Sequence, residues 1–299
     1  VAYSYLADSA LVGEIGFTNG STRRMTTSKS YDFLNRLTNI VSSGTGFQPV
    51  SYAYQYNSAN QRTSVTNADN SRWVYQYDAL GQVISGKKYW SDGTPVAGQH
   101  FEYAFDDIGN RQGTMAGGDN SGANLRPASY LNNSLNQILS REVPGYVNIL
   151  GTASNNATVT LWGDNGGYSS TSRKGEYFRG ELYANNATGA VWLTITNVAV
   201  LNNGANPDIV TNTVGRTFVP KTAETFAYDL DGNLTRDGAW TNVWNGENRR
   251  VTIESGAGVP PAARMREQWT HLADGRWIQR MVSTNNGSAY YPAYTNRYV

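Results

Sequence analysis

The chain has 299 residues, a formal charge of +1 and only 16% charged residues. It contains no basic tract, so it lacks the clustered positive face that nucleic-acid binding requires, and no apolar run approaches the ~20 residues of a membrane-spanning helix. The absence of cysteine excludes disulfides, thiolate catalysis and cysteine-ligated zinc.

A five-residue motif, Tyr-Asp-x-x-Gly, recurs along the chain. Clean copies begin at Tyr77 and Tyr228; looser or worn copies begin at Tyr5, Tyr31, Tyr56, Phe105, Trp244 and His271. After the first copy, the fifth position always holds Gly or Asn, which tolerate a left-handed backbone. An Asp at the second position suits the start of a type I turn. The motif therefore predicts a three-residue hairpin loop with a G1 bulge, whose structural turn residues are Asp32, Asn35, Asn60, Asp78, Gly81, Asp106, Gly109, Asp229, Gly232, Asn248 and Gly275.

Aromatic residues precede these turns with a period of two. Two trios show it fully: Tyr52, Tyr54 and Tyr56, and Trp73, Tyr75 and Tyr77. A period of two places each trio on one face of a strand, and we expect the two trios to stack side by side. The residue after each turn is polar in seven copies, as in Arg36 and Gln82.

Residues 125–139 are ambiguous. Apolar residues at 131, 135, 138 and 139 are compatible with a short amphipathic helix. A strand pair is equally compatible, and the stretch from Tyr130 to Ile138 ends like one more worn repeat.

The motif is absent from about Arg141 to Lys221, where short alternating strands and Gly/Asn-rich turns appear instead. This pattern predicts a small β-sandwich, and the stretch from Val147 to Thr160 is similar to Ig-like modules of bacterial surface proteins. We therefore expect residues 1–140 and 223–299 to form two parts of one repeat strip, with residues 141–222 inserted between them. In that arrangement Phe105 and Tyr228 would lie in neighbouring hairpins of a single sheet.

The repeats resemble the YD-repeat (Rhs-repeat) family, through Tyr-Asp-x-x-Gly cores followed by Arg, Asn or Gln. The family includes bacterial Rhs proteins, toxin-complex C subunits and the animal teneurins. The resemblance implies an all-β fold in which a winding antiparallel sheet of hairpins forms part of a hollow shell, with the β-sandwich inserted. It also implies a non-enzymatic segment of a secreted or surface protein of a bacterium. Its partners would be the rest of its parent chain and an encapsulated C-terminal toxin.

The chain begins at Val1 without an initiator Met, and we expect it to be an internal fragment. The Asp-Pro-x-Gly sequence that the family associates with self-cleavage does not occur in it.

Candidate chemistry is sparse. Asp229 to Asn233 superficially resembles a calcium loop, but its Gly stands fourth rather than sixth and Trp240 occupies the twelfth place, so the repeat turn is favoured. The adjacent carboxylates of Asp106 and Asp107 would point apart rather than converge as in glycosidases. The two histidines, His100 and His271, have no second ligand at metal spacing. We therefore predict no catalytic residues, no cofactor and no metal site.

The alternative function is a carbohydrate-binding adhesin. The chain is 12% aromatic, and sugar rings stack on exposed aromatic side chains. The period-two pattern assigns most aromatic residues to the strip, which leaves Trp162, Tyr168 and Tyr177 as sugar-stacking candidates in the interrupting segment.

Overall fold

The computed structural model describes residues 1–298, which divide into two compact units. The first comprises Val1–Ala104 and Met115–Leu125, and the second comprises Phe105–Thr114 and the chain from Arg126 onward. Strand β10 (Arg111–Gly117) contributes residues to both units, because the division falls between Thr114 and Met115. Regular structure in residues 1–298 is β-strand except for a 3₁₀ turn at Pro261–Ala263, so the all-β prediction is confirmed.

The first unit is a meander of antiparallel strands in chain order. Its strands are β1 (Ala2–Tyr5), β2 (Val12–Asn19), β3 (Thr22–Tyr31), β4 (Leu37–Gly44), β5 (Phe47–Tyr56), β6 (Arg62–Asn67), β7 (Arg72–Tyr77), β8 (Val83–Tyr89) and β9 (Pro95–Phe105). The register shifts by one residue just before the motif turns, between Ser30 and Tyr31, Gln55 and Tyr56, and Gln76 and Tyr77. One extra residue per hairpin is the signature of a β-bulge.

The aromatic trios lie on strands β5 and β7. The rings of Trp73 and Tyr75 are stacked, with centroids 6.5 Å apart and planes 5° apart, so they share a face. The trios are not direct neighbours, because β6 lies between their strands and pairs Val65 with both Tyr54 and Trp73. The prediction of side-by-side stacking was therefore wrong. It overlooked that each repeat supplies a second strand without the aromatic pattern.

The second unit contains a further hairpin, β11 (Leu125–Asn132) and β12 (Ile138–Arg141). The helical alternative for residues 125–139 was therefore wrong. The side-chain oxygen of Asn133 accepts hydrogen bonds from the amides of Leu135 and Gln137, at 2.9 and 3.0 Å, which satisfies these donors in a turn. Asn residues compete with helix in this way.

Strands β13 to β19 of the same unit form two small antiparallel sheets. They are β13 (Tyr146–Thr152), β14 (Thr158–Gly163), β15 (Tyr168–Ser170), β16 (Ser172–Lys174), β17 (Tyr177–Tyr183), β18 (Val191–Leu201) and β19 (Ile209–Val219). Their orders are β13-β17-β16 and β15-β14-β18-β19. One buried cluster takes Leu182 from the first sheet, and Leu161 and Leu193 from the second. Each buried leucine contributes about 1.5–3 kcal/mol relative to exposure.

The chain enters and leaves this segment side by side. Strand β20 (Glu224–Thr225) pairs antiparallel with β12, opposing Glu224 to Arg141. The buried Asn186 side chain donates to the carbonyls of Val143 at 3.0 Å and Pro220 at 2.8 Å, so one amide joins the incoming and outgoing chain.

The remaining strands form a seven-stranded antiparallel meander. They are β21 (Ala227–Tyr228), β22 (Leu234–Arg236), β23 (Trp240–Trp244), β24 (Arg250–Ser255), β25 (Met265–His271), β26 (Trp277–Asn285) and β27 (Tyr290–Arg297). Phe105 and Tyr228 are not in neighbouring hairpins, because the β11–β12 hairpin lies between their turns. Tyr228 instead bonds to the carbonyl of Ile138 on β12. In addition, β20 and β21 belong to different sheets.

Candidate functional site

The motif turns are built on one hydrogen-bond circuit, which is complete at Asp78. Its Oδ1 accepts the amides of Leu80 at 3.0 Å and Gln82 at 2.8 Å, and its Oδ2 accepts the Gln82 side chain at 3.0 Å. The amide of Gly81 donates to the Asp78 carbonyl at 3.1 Å. We call these five residues, from the Asp or Asn to the polar residue after the Gly or Asn, a tip.

The left-handed residue of each tip has a positive φ. The values lie between 56° at Asn248 and 92° at Gly275. The full set is Asn35, Asn60, Gly81, Gly109, Asn136, Gly232, Asn248 and Gly275. In the worn first copy the left-handed residue is Asp8, at 52°, rather than Ser9. Asn adopts this conformation more readily than other residues with a side chain, which explains why it alternates with Gly.

Except in the His271 copy, the first residue of a tip is Asp or Asn, and its Oδ1 accepts the same two backbone amides. At Asp106, the side chain and backbone of Asn110 and the amide of Ile108 donate to the carboxylate and hold its pKa below the ordinary value. Desolvation alone would raise the pKa of Asp32, but hydrogen bonds from Arg36 and the Leu34 amide outweigh it and lower the pKa.

Four of the described tips depart from this scheme in detail: those that begin with Asn57, Asn133 and Asn245 have no carboxylate, and the His271 copy places its acid elsewhere. At Asn57 the amide group donates to Gln61 Oε1 at 2.6 Å, so a neutral pair replaces the carboxylate. In the His271 copy the acid has moved to Asp274, whose carboxylate binds both the amide and the guanidinium of Arg276.

Within residues 1–298, three of the polar residues that end a tip also donate to the left-handed Asn of the next tip. In the first unit, Arg36 donates to the side chain of Asn60 at 2.8 Å. In the second unit, Asn110 donates to Asn136 at 3.0 Å and Asn233 donates to Asn248 at 2.8 Å. The left-handed Asn therefore accepts a bond that Gly cannot accept. We call this bond between successive tips the bridge. The sequence signal for it was the single polar residue after each turn, but the spacing of the motifs did not reveal that this residue reaches the next tip.

A second regular contact joins successive hairpins, and we call it the staple. The side chain at the first motif position donates to the carbonyl of the residue that follows the preceding tip. Tyr56 does so to Leu37 at 2.7 Å, and Trp244 does so to Leu234 at 2.8 Å. The others are Tyr31 to Val12, Tyr77 to Arg62, Asn132 to Arg111 and Tyr228 to Ile138. The position usually combines a donor with a ring, but Asn132 supplies the donor without a ring and Phe105 supplies a ring without a donor.

The other candidate residues have ordinary surroundings. Asp107 is exposed and does not take part in the Asp106 circuit. His100 is buried beside the Tyr89 ring, and this desolvation lowers its pKa although the Lys88 carbonyl lies 3.0 Å from its Nε2. His271 takes the motif's aromatic position on β25. Residues 1–298 hold no group of three or more His, Cys, Asp or Glu able to bind a metal ion.

The sugar-stacking candidates are divided between two sheets. Trp162 and Tyr168 are cross-strand partners with ring centroids 4.8 Å apart, and they are 50% and 59% exposed. Tyr177 begins β17 in the other sheet and is half-buried. The structure therefore brings two of the three together.

Comparison with known proteins finds a family match for one stretch of the repeats. Residues 56–95, which contain the staple of Tyr56 and the tip of Asp78, match the family model described as RHS Repeat. Residues 56–95 carry an RHS repeat. A search of curated protein sequences finds no match.

Solved structures give distant resemblances to this chain. Two are crystal structures of TcdB2–TccC3, one with Cdc42 and one without the hypervariable C-terminal region; each is 12% identical with a TM-score of 0.38. Each alignment covers 91% of this chain and 13% of the other. A porin-like protein from Bacteroides uniformis is 13% identical, with a TM-score of 0.24 and coverages of 91% and 88%. Within residues 1–298, no helix has the length and apolar character needed to cross a membrane.

Proposed function

We propose that this RHS-repeat chain is a structural, non-enzymatic wall segment of a larger secreted or surface protein of a bacterium. Residues 1–140 and 223–299 are the two parts of its repeat strip, with turns held by the tip residues. Residues 141–222 are an inserted Ig-like β-sandwich. The complete wall forms a β-shell that encloses a C-terminal toxin or effector.

The observation that supports this function best is the repetition of tip and staple. A side chain that reaches from one hairpin to the next, at a fixed position in successive copies, reinforces the sheet along its length in addition to its backbone bonds. An isolated hairpin is marginally stable, so such a sheet gains stability from each neighbour. This arrangement suits a protein whose product is a continuous wall rather than a catalytic cleft.

The proposal is tested on the parent gene. The region encoded after Val299 is expressed alone and joined to the complete repeat region, and bacterial growth and protease sensitivity of that region are compared. If the repeats form an enclosing wall, the region encoded after Val299 should be less toxic and more resistant to protease in the joined form than alone. Disrupting the wall with Tyr56→Phe and Gly232→Val together should restore protease cleavage. Equal toxicity and equal cleavage of the two forms would exclude encapsulation.

A second candidate function is carbohydrate recognition by the 141–222 segment. It is favoured by the exposed pair of Trp162 and Tyr168, whose rings meet edge to face on the sheet surface; Tyr177 is a separate candidate. The test is a glycan array probed with the intact chain and with Trp162→Ala. The matched control is Tyr146→Ala, since Tyr146 and Tyr183 form another partly exposed pair with centroids 5.3 Å apart. Retention of all glycan signals by Trp162→Ala would exclude this pair as the binding surface.

A further inference from the structure

A cavity of about 530 Å³ lies within the second unit, where the 141–222 segment joins the second part of the strip. This volume lies inside the range of about 300–1,000 Å³ that is typical of small-molecule sites. Its walls come from the paired strands β18 and β19, from the β12–β20 junction, and from the chain around β23 and β24. Neither the tips nor the staples use it.

Three aromatic side chains line the cavity. Trp192 and Phe218 are cross-strand partners, and Trp240 begins β23. Neighbouring Leu193 belongs to the buried cluster between the two small sheets, so strand alternation places Trp192 on the other face of its sheet. The cavity is therefore walled by rings that are not part of that core.

The charged groups of the lining leave one negative charge uncompensated. Glu224 is 4% exposed, and its carboxylate is paired with Arg141 and accepts the Gly238 amide at 3.0 Å. Asp237 uses one oxygen to accept the amides of Ala239 at 2.8 Å and Trp240 at 2.6 Å. Its second oxygen has no hydrogen-bond partner within residues 1–298.

We propose that this cavity binds an organic ammonium cation. Aromatic faces attract cations through the ring quadrupole, by about 2 kcal/mol or more when the cation is desolvated, and substituted ammonium groups are bound in this way. The excess negative charge favours a cation over a neutral or anionic ligand. Arg141 does not repel it strongly, because the guanidinium is neutralised by Glu224. The same chemistry is found in a free choline-type headgroup and in a methylated lysine side chain.

Calorimetric titration of the intact chain tests the proposal. The probes are choline, its neutral isostere 3,3-dimethylbutan-1-ol, a trimethyllysine dipeptide and N-acetylglucosamine. We expect saturable choline binding that is at least about tenfold tighter than binding of the neutral alcohol. Binding of the dipeptide as well indicates that a protein side chain fits, whereas binding of choline alone indicates a headgroup or free amine; either result supports the cation site.

Two variants separate charge from fold. Asp237→Asn keeps the oxygen that binds the two amides and removes the charge, so we expect about tenfold weaker choline binding with an unchanged unfolding midpoint. Trp192→Leu should weaken binding similarly, whereas Trp162→Leu, which removes an indole outside the cavity, should not. The proposal is overturned by equal binding of the neutral alcohol, by undiminished binding to Asp237→Asn, by binding of the sugar alone, or by no binding of any ammonium probe.

Discussion

The staple predicts a specific cost for losing a single hydroxyl. Tyr56→Phe removes the 2.7 Å bond to the Leu37 carbonyl and leaves the ring in place. A protein hydrogen bond contributes about 0.5–1.5 kcal/mol, and the unpaired carbonyl adds to the loss. We therefore expect the β4–β5 hairpin to lose about 1 kcal/mol. Tyr52→Phe is the matched control on the same face of β5, because Tyr52 is 40% exposed and makes no side-chain hydrogen bond within residues 1–298.

Native-state hydrogen exchange measures the stability of the β4–β5 hairpin separately from that of the rest of the chain. A loss of about 1 kcal/mol in opening free energy accelerates exchange of the β4 and β5 amides by roughly fivefold. The Tyr52→Phe variant should exchange at the rate of the unmodified chain. Equal rates for the two variants, or acceleration by the control alone, would refute the view that the first motif position is selected for its donor.

Three further predictions concern the turns and the junction. Gly232 has a φ of 85°, and an added Cβ would lie 3.4 Å from the nearest Gln137 atom, so backbone strain rather than a steric clash sets the cost of a side chain there. Gly232→Val should lower the free energy of unfolding in urea by about 1–3 kcal/mol, and Gly232→Asn by less than half of that. The hydroxyl of Ser121 is the main cause that lowers the pKa of Asp119 to about 2, against an opposing desolvation. The ionised Asp119 therefore stabilises the fold above pH ~4, and this stabilisation is lost as the pH falls towards ~2. In Asp119→Asn, the urea midpoint should depend less on pH within that window. Glu224→Gln should lower the free energy of unfolding by about 1–2 kcal/mol, measured by heat or urea. This is less than the loss of a fully buried ion pair would cost, because the Arg141 side chain is 38% exposed. An unchanged unfolding midpoint would contradict this prediction.

The sequence alone determined the features that depend on local backbone chemistry. Gly or Asn at a fixed place after Tyr-Asp restricts the chain to a turn with a left-handed residue, and a period of two can only place aromatic side chains on one face of a strand. Both rules act over a few residues, so no partner needs to be known. The all-β class and the hairpin turns follow from them.

Tertiary structure decided how the copies meet. The staple from Tyr56 to Leu37 and the bridge from Arg36 to Asn60 join residues 19 and 24 positions apart, and motif spacing does not say which carbonyl or amide a side chain will face. Asn132 shows the limit most clearly, because it supplies the donor of the motif's Tyr while having none of its aromatic character. The cavity beside Trp192 and Trp240 likewise exists only because chain pairing at Arg141 and Glu224 brings distant segments together, a contact that no local pattern encodes.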